Sequence, residues 1–186
     1  MKTFGKASQQ LAMLGAALAC ALAPTPSFAA SQGTLGATSS GNITITASVP
    51  NRARITGLSD VTFALQDPNT AASNAQDVCV WSNTATKAYT ITATGSGASS
   101  AFTLSNGSGT VPYSVEWASS SGQTSGSGLT AGTASPSLTS GAVNQTCSAA
   151  PAASASLVVK MATVDLGTMS AGSNYTGTLT LLVSPQ

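Results

Sequence analysis

Three stretches of this chain alternate between apolar and polar residues, and that alternation restricts the fold more than any other feature. Asn42 to Val49 reads NITITASV. Ile43, Ile45, Ala47 and Val49 fall on one face, and Thr44, Thr46 and Ser48 on the other. Ala88 to Ala93 (AYTITA) and Tyr175 to Val183 (YTGTLTLLV) follow the same pattern. Successive side chains leave a strand on opposite faces, so a period of two with β-branched residues predicts half-buried strands. Shorter candidates lie at Ala53 to Leu58, Val61 to Leu65, Val78 to Trp81 and Ala155 to Ala162. Ala101 to Leu104 and Val111 to Trp117 flank Asn106-Gly107 and predict a hairpin. In its second arm Val111, Tyr113, Val115 and Trp117 share a face, and Pro112 marks an edge or a strand start. Residues 66–77 (QDPNTAASNAQD) read as a loop, 118–146 as long loops with one short strand, and 165–173 as a turn region. No segment has a helical period. Many short strands joined by Gly- and Ser-rich turns predict an all-β sandwich of immunoglobulin-like type.

The N-terminus carries the three parts of a cleavable secretory signal. Lys2 and Lys6 precede an uncharged apolar run, Leu11 to Leu22, and Ser27-Phe28-Ala29 places small residues before the expected cleavage site. Residues 1–29 are read as the signal, 30–50 as an N-terminal extension and 51–186 as the body. Cys20 is read as a small apolar residue of the signal, since Ala17 stands where a lipoprotein signal favours Leu. The run is short for a membrane span and is the only one of its kind, so no span is expected. Cleavage leaves Cys79 and Cys147, which an exported protein is expected to join. That bond closes nearly 70 residues, a constraint worth roughly 4 kcal/mol in the chain-entropy account.

Composition excludes most chemistry. The chain has no histidine, which removes the commonest general base, the Ser-His and Cys-His dyads and most zinc sites. Without the signal, four cations (Arg52, Arg54, Lys87, Lys160) face five acids (Asp60, Asp67, Asp77, Glu116, Asp165), a net charge of −1. A nearly neutral chain without a basic patch is a poor partner for nucleic acid. No enzyme, cofactor or metal is expected. Asp67, Asn69 and Asp77 are the one set of oxygen ligands near one loop, and Asp-Pro-Asn reads as a turn. Trp81, Trp117, Tyr89 and Tyr113 fit a core better than a sugar-binding face.

The two terminal strands carry the rest of the reading. NITITASV follows a small, polar leader at 30–41, and the sequence stops just after the last strand, at Ser184-Pro185-Gln186. A sandwich ending so is expected to lack its closing strand, leaving an apolar groove that residues 42–49 of another copy would fill. Burying Ile43, Ile45, Ala47 and Val49 would contribute on the order of 5 kcal/mol.

On these segments the chain resembles the pilins of bacterial chaperone–usher fimbriae, in the archaic and alternative branches that include Csu-type and spore-coat-U-like subunits. GNITITASVP (41–50) is similar to their donor and first strands, and AGSNYTGTLTLLVSP (171–185) to their C-terminal strand. VCVWSNT (78–84), VPYSVEW (111–117) and Cys147 follow the same order. The better-known branch carries a penultimate Tyr where this chain ends Ser-Pro-Gln. The resemblance implies an incomplete immunoglobulin-like sandwich completed by a donor strand from a neighbouring subunit. It implies export through the periplasm to the cell surface, with a periplasmic chaperone, an outer-membrane usher and identical or related subunits as partners. Ile43, Ile45, Ala47 and Val49 become donor residues; Tyr175, Gly177, Leu179, Leu181 and Val183 border the groove. One domain with a donor strand fits a shaft or adaptor position better than a tip. The alternative is a monomeric secreted β-sandwich that binds carbohydrate or another surface.

Overall fold

The computed structural model describes residues 29–149 and 151–186. The expected signal, with Lys2, Lys6, the Leu11–Leu22 run and Cys20, lies outside the described residues apart from Ala29. The chain divides between Ser48 and Val49. In the N-terminal unit, Ser31 and Asn42 form an antiparallel bridge. The Ser31 N–H donates to the Asn42 carbonyl at 2.9 Å and the Asn42 N–H to the Ser31 carbonyl at 3.0 Å.

The second unit is all-β, of immunoglobulin-like sandwich type. Its strands are β1 (Ala53–Thr56), β2 (Ala72–Ser82), β3 (Ala88–Gly95), β4 (Thr103–Ser105), β5 (Thr110–Pro112), β6 (Ser114–Ala118), β7 (Ser127–Gly128), β8 (Leu138–Thr139), β9 (Ala155–Met161) and β10 (Leu179–Pro185). A single-turn helix α1 spans Thr163–Leu166. One sheet has the order β1-β2-β9-β6-β7 and the other β10-β3-β8, with β4 and β5 as a separate hairpin. Among the described residues no helix is long and apolar enough to cross a membrane.

Alternation produces the core. Tyr89, Ile91 and Ala93 of β3 face inward and are fully buried, as are Val78 and Val80 of β2. Val111, Tyr113, Val115 and Trp117 are all buried. They do not lie on one continuous strand, however. The Tyr113 N–H donates to the Phe102 carbonyl at 2.9 Å, and beyond it the chain leaves β4 to pair with β9. The Asn106-Gly107 hairpin is present as β4 and β5, with Ser105 opposite Thr110.

Several strand limits differ from the sequence expectation. Residues 72–77, read as loop, form the first half of β2 and pair with β9 along their length. Ser, Asn and Asp have low strand propensity, but a neighbouring strand with a continuous apolar run supplies the pairing. β1 stops at Thr56 because Gly57 takes a φ of +83°, a left-handed conformation that ends the ladder. Val61 to Leu65 joins no strand, and neither do residues 43–50. The loop 118–146 contains two short strands, β7 and β8, rather than one. The C-terminal strand begins at Leu179, not Tyr175, and runs to Pro185.

The disulfide joins Cys79 of β2 to Cys147, with Cα atoms 5.9 Å apart across a separation of 68 residues. Trp81 and Ala142 pack around it as a small second cluster. Two carboxylates tie loops to the larger sheet. Asp77 Oδ1 accepts from Ser156 Oγ at 2.6 Å and the Gly122 N–H at 2.7 Å. Glu116 accepts from Lys160 Nζ at 2.7 Å and the Gly126 N–H at 2.9 Å. The Ser156 hydroxyl first, and the Gly122 amide second, hold the Asp77 carboxyl below its ordinary range. The Lys160 hydrogen bond first, then the Gly126 amide, do the same for Glu116.

Replacing both Cys79 and Cys147 with Ser is expected to lower the unfolding free energy by about 2–5 kcal/mol; an unchanged urea midpoint would contradict this. A carboxyl whose folded pKa lies below its unfolded value stabilises above the unfolded value, near pH 4, and that contribution is lost as pH falls through the folded pKa. Asp77→Asn with Glu116→Gln should therefore cost stability at pH 7 and little at pH 2, seen as converging melting temperatures.

Candidate functional site

The second unit carries an open trough of about 1190 Å³ with an apolar floor and walls of mixed polarity. One wall is the segment 58–66, which follows β1. Val61 and Phe63 turn inward against the core, while Leu58 and Leu65 are exposed. Two alternate side chains are therefore anchored, yet residues 60–66 make no backbone-to-backbone hydrogen bond among the described residues. The Gln76 side chain holds the start of this wall: its Oε1 accepts from the Ser59 N–H at 2.7 Å and its Nε2 donates to the Ser59 carbonyl at 3.0 Å.

The opposite wall runs from Met169 to Leu181. β10 pairs with β3 from Leu179 opposite Gly95 to Pro185 opposite Tyr89. It is the outermost strand of its sheet, so its second edge has no strand partner among the described residues. Leu179, Leu181 and Val183 are half-buried against the core, whereas Leu182 points outward and is exposed. The floor comes from Leu157, Val159 and Met161 of β9, with Leu104, Tyr113 and Leu166. This is a trough with an apolar floor, between the open edge of β10 and the segment 60–66, whose backbone has no strand partner among the described residues.

Of the five residues expected along this border, Tyr175, Gly177, Leu179 and Leu181 line the cavity and Val183 does not. Tyr175 and Gly177 precede the ladder with β3. There Thr176 makes a two-way backbone bridge to Ser105, at 2.8 and 2.9 Å. Gly177 is the reason this approach is so close: a Cβ there would sit 2.8 Å from the Thr103 carbonyl oxygen and 3.1 Å from Leu104 Cδ2. The Tyr175 hydroxyl accepts from the Ser170 N–H at 3.2 Å, which lowers its pKa. The wall segment 58–66 was not recognised as part of the site in the sequence. Its inward alternation of Val61 and Phe63 was the available signal.

The arm residues have the opposite surroundings. Ile43, Ile45 and Val49 are 75%, 82% and 76% exposed, and Ala47 is exposed too. Four side chains of one face, three of them large and apolar, thus stand in water on a segment that belongs to no strand.

The other sequence candidates are occupied differently. Asp67 Oδ1 accepts from the N–H and side-chain amide of Asn69, closing a turn on itself, while Asp77 is committed to Ser156 and Gly122. Among the described residues no group of three His, Cys, Asp or Glu is placed to hold a metal. Tyr89, Trp117 and Tyr113 are core residues. Trp117 Nε1 donates to the Tyr89 hydroxyl at 3.1 Å, and burial raises the Tyr89 pKa.

No family model matches the chain, and no curated protein matches it in sequence. Among solved structures it is similar to a chain from a chaperone–tip adhesin complex of CFA/I fimbriae biogenesis, with 17% identity and a TM-score of 0.48. The likeness covers 72% of this chain and 41% of that one, so this chain spans about two fifths of its length.

Gly177→Ala should destabilise the unit by roughly 1–3 kcal/mol, because the obstacle is backbone and overpacking forces it to shift. A thermal melt unchanged within a degree would show that the bridge at Thr176 tolerates a Cβ.

Proposed function

We propose that this chain is a structural subunit of a chaperone–usher pilus and polymerises by donor-strand exchange. One observation carries the reading: a trough with an apolar floor lies between the open edge of β10 and the unpaired segment 60–66, in a chain that also exposes an apolar-faced arm with no strand of its own. The arm of one copy fits the trough of the next in three respects. Ile43, Ile45, Ala47 and Val49 offer a two-residue period that matches Leu179 and Leu181 on one wall and Val61 and Phe63 on the other. The stretch 43–49 has seven residues, as does β10, and a strand rises about 3.3 Å per residue, so each spans roughly 23 Å. The open edge of β10 and the unbonded backbone of 60–66 also offer hydrogen-bonding groups to an added strand, as in strand addition generally.

The Ser31–Asn42 bridge supports one register for the arm. In an antiparallel pair, the N–H and C=O of one residue point to the same side. Those of Asn42 are both bound to Ser31, which favours an inserted strand that starts at Ile43, with Leu35 and Ala37 of the same odd-numbered face outside it.

In this reading residues 1–29 direct export and are removed, and the disulfide forms in the oxidising periplasm. A periplasmic chaperone holds the trough until an outer-membrane usher exchanges it for the arm of an incoming identical or related subunit. Polymers at the cell surface then serve adhesion and biofilm formation, with this chain in a shaft or adaptor position. A monomeric sugar-binding module would need an aromatic platform, and Tyr89, Tyr113 and Trp117 lie in the core.

The mature chain should form denaturant-resistant oligomers that vanish when residues 30–49 are deleted. Ile45→Asp should abolish them while leaving the melting temperature of the body unchanged. A full-length chain that stays a stable monomer without any chaperone would refute the proposal.

A further inference from the structure

Three exposed residues, Pro50, Asn51 and Arg52, join the arm to β1. Nothing in their composition stiffens such a joint beyond the ring of Pro50, and exposed connections of this kind are ordinarily mobile. Here a single side chain holds them. Asn83, the residue after β2, receives the Arg52 N–H on Oδ1 at 2.6 Å. Its Nδ2 donates to the Pro50 carbonyl at 2.9 Å. Its own N–H donates to the Arg52 carbonyl at 3.1 Å. Ala53 already pairs with Ser82, so the Asn83 amide prolongs the β1–β2 ladder by imitating a further strand residue. Only a side chain with one acceptor and one donor at the same distance can do this. Pro50 has no N–H, and its carbonyl is the one backbone group it can offer.

We infer that Asn83 is a positioning residue that holds the linker 50–52 in line with the β1–β2 ladder, and so sets the stiffness of the joint between one copy of this chain and the next. The inference rests on the donor-strand reading for its consequence in a filament, but the clamp itself exists within one chain. If the arm of each copy is seated in its neighbour, the linker 50–52 is the only covalent path between consecutive bodies. Three hydrogen bonds along that path stiffen it. The other anchors of this region, Ser82 Oγ to the Ala88 carbonyl at 3.0 Å and Gln186 N–H to the same carbonyl at 3.0 Å, hold β2, β3 and β10 and do not touch the linker.

The test compares Asn83→Ala and Asn83→Asp with the parent. Asp keeps the acceptor for the Arg52 N–H and loses the donor to Pro50. In the Ile45→Asp background, monomeric whether or not the parent polymerises, Asn83→Ala should make the Arg52 amide exchange about tenfold faster. Exchange along β2 and β9 should not change. In filaments of the otherwise unaltered chain, Asn83→Ala should keep the denaturant-resistant ladder but lose bending stiffness and spread the angle between subunits in electron micrographs. Asn83→Asp should fall between. Ladders with unchanged stiffness and unchanged angles would overturn the inference and leave the donor-strand reading standing. A parent chain that forms no ladder would overturn both the donor-strand reading and the filament role, while Arg52 exchange still reported on the clamp. Should Asn83→Ala fail to fold, the Asp variant alone decides: protection of Arg52 and filament stiffness equal to the parent would overturn the role.

Discussion

Among the described residues, β10 is hydrogen-bonded on one side only. Its other edge faces a trough with an apolar floor, where its backbone amides and carbonyls have no strand partner among the described residues. Unpaired polar groups beside apolar walls are costly, and an edge of this kind invites another strand. The rest of the unit is built around this gap. β9 places Leu157, Val159 and Met161 beneath it, Gln76 steadies the start of the far wall, and Gly177 lets the near wall lie directly against β4. The disulfide and the Asp77 and Glu116 anchors stabilise the sandwich away from the trough.

Low charge fits the same constraint. Proteins commonly protect exposed strand edges with lysines and inward-pointing charges. This chain carries four cations and five acids beyond residue 29, and the ones with resolved partners secure loops rather than guard edges. Solubility falls to Ser, Thr, Asn and Gly. In the proposed assembly, an edge free of charge accepts a neighbour's arm without stripping water from ions.

Much of this was legible in the sequence because strand alternation is a local property. The inward face of Val111, Tyr113, Val115 and Trp117, the Asn106-Gly107 hairpin and the pairing of Cys79 with Cys147 all follow from residue type and spacing. Where local chemistry and pairing disagreed, the sequence misled. Residues 72–77 are rich in turn formers, yet they complete β2 because β9 runs alongside. Val61 to Leu65 looks like a strand, yet nothing in its own unit pairs with it and Leu65 turns to a φ of +52°. The C-terminal alternation spans Tyr175 to Val183, but the ladder slides to Leu179–Pro185, since Thr176 is held by Ser105 and not by β3.

By itself, the sequence determined which residues face inward, that the chain is all-β, that histidine-based chemistry is absent and that an apolar-faced arm precedes the body. These are set by side-chain identity and a period of two. Tertiary structure alone decided which strand edges stay open, that residues 58–66 form the far wall of the trough, and that Asn83 grips the linker at Pro50 and Arg52. Backbone pairing and side-chain reach bring together positions tens of residues apart, and no local pattern encodes such meetings.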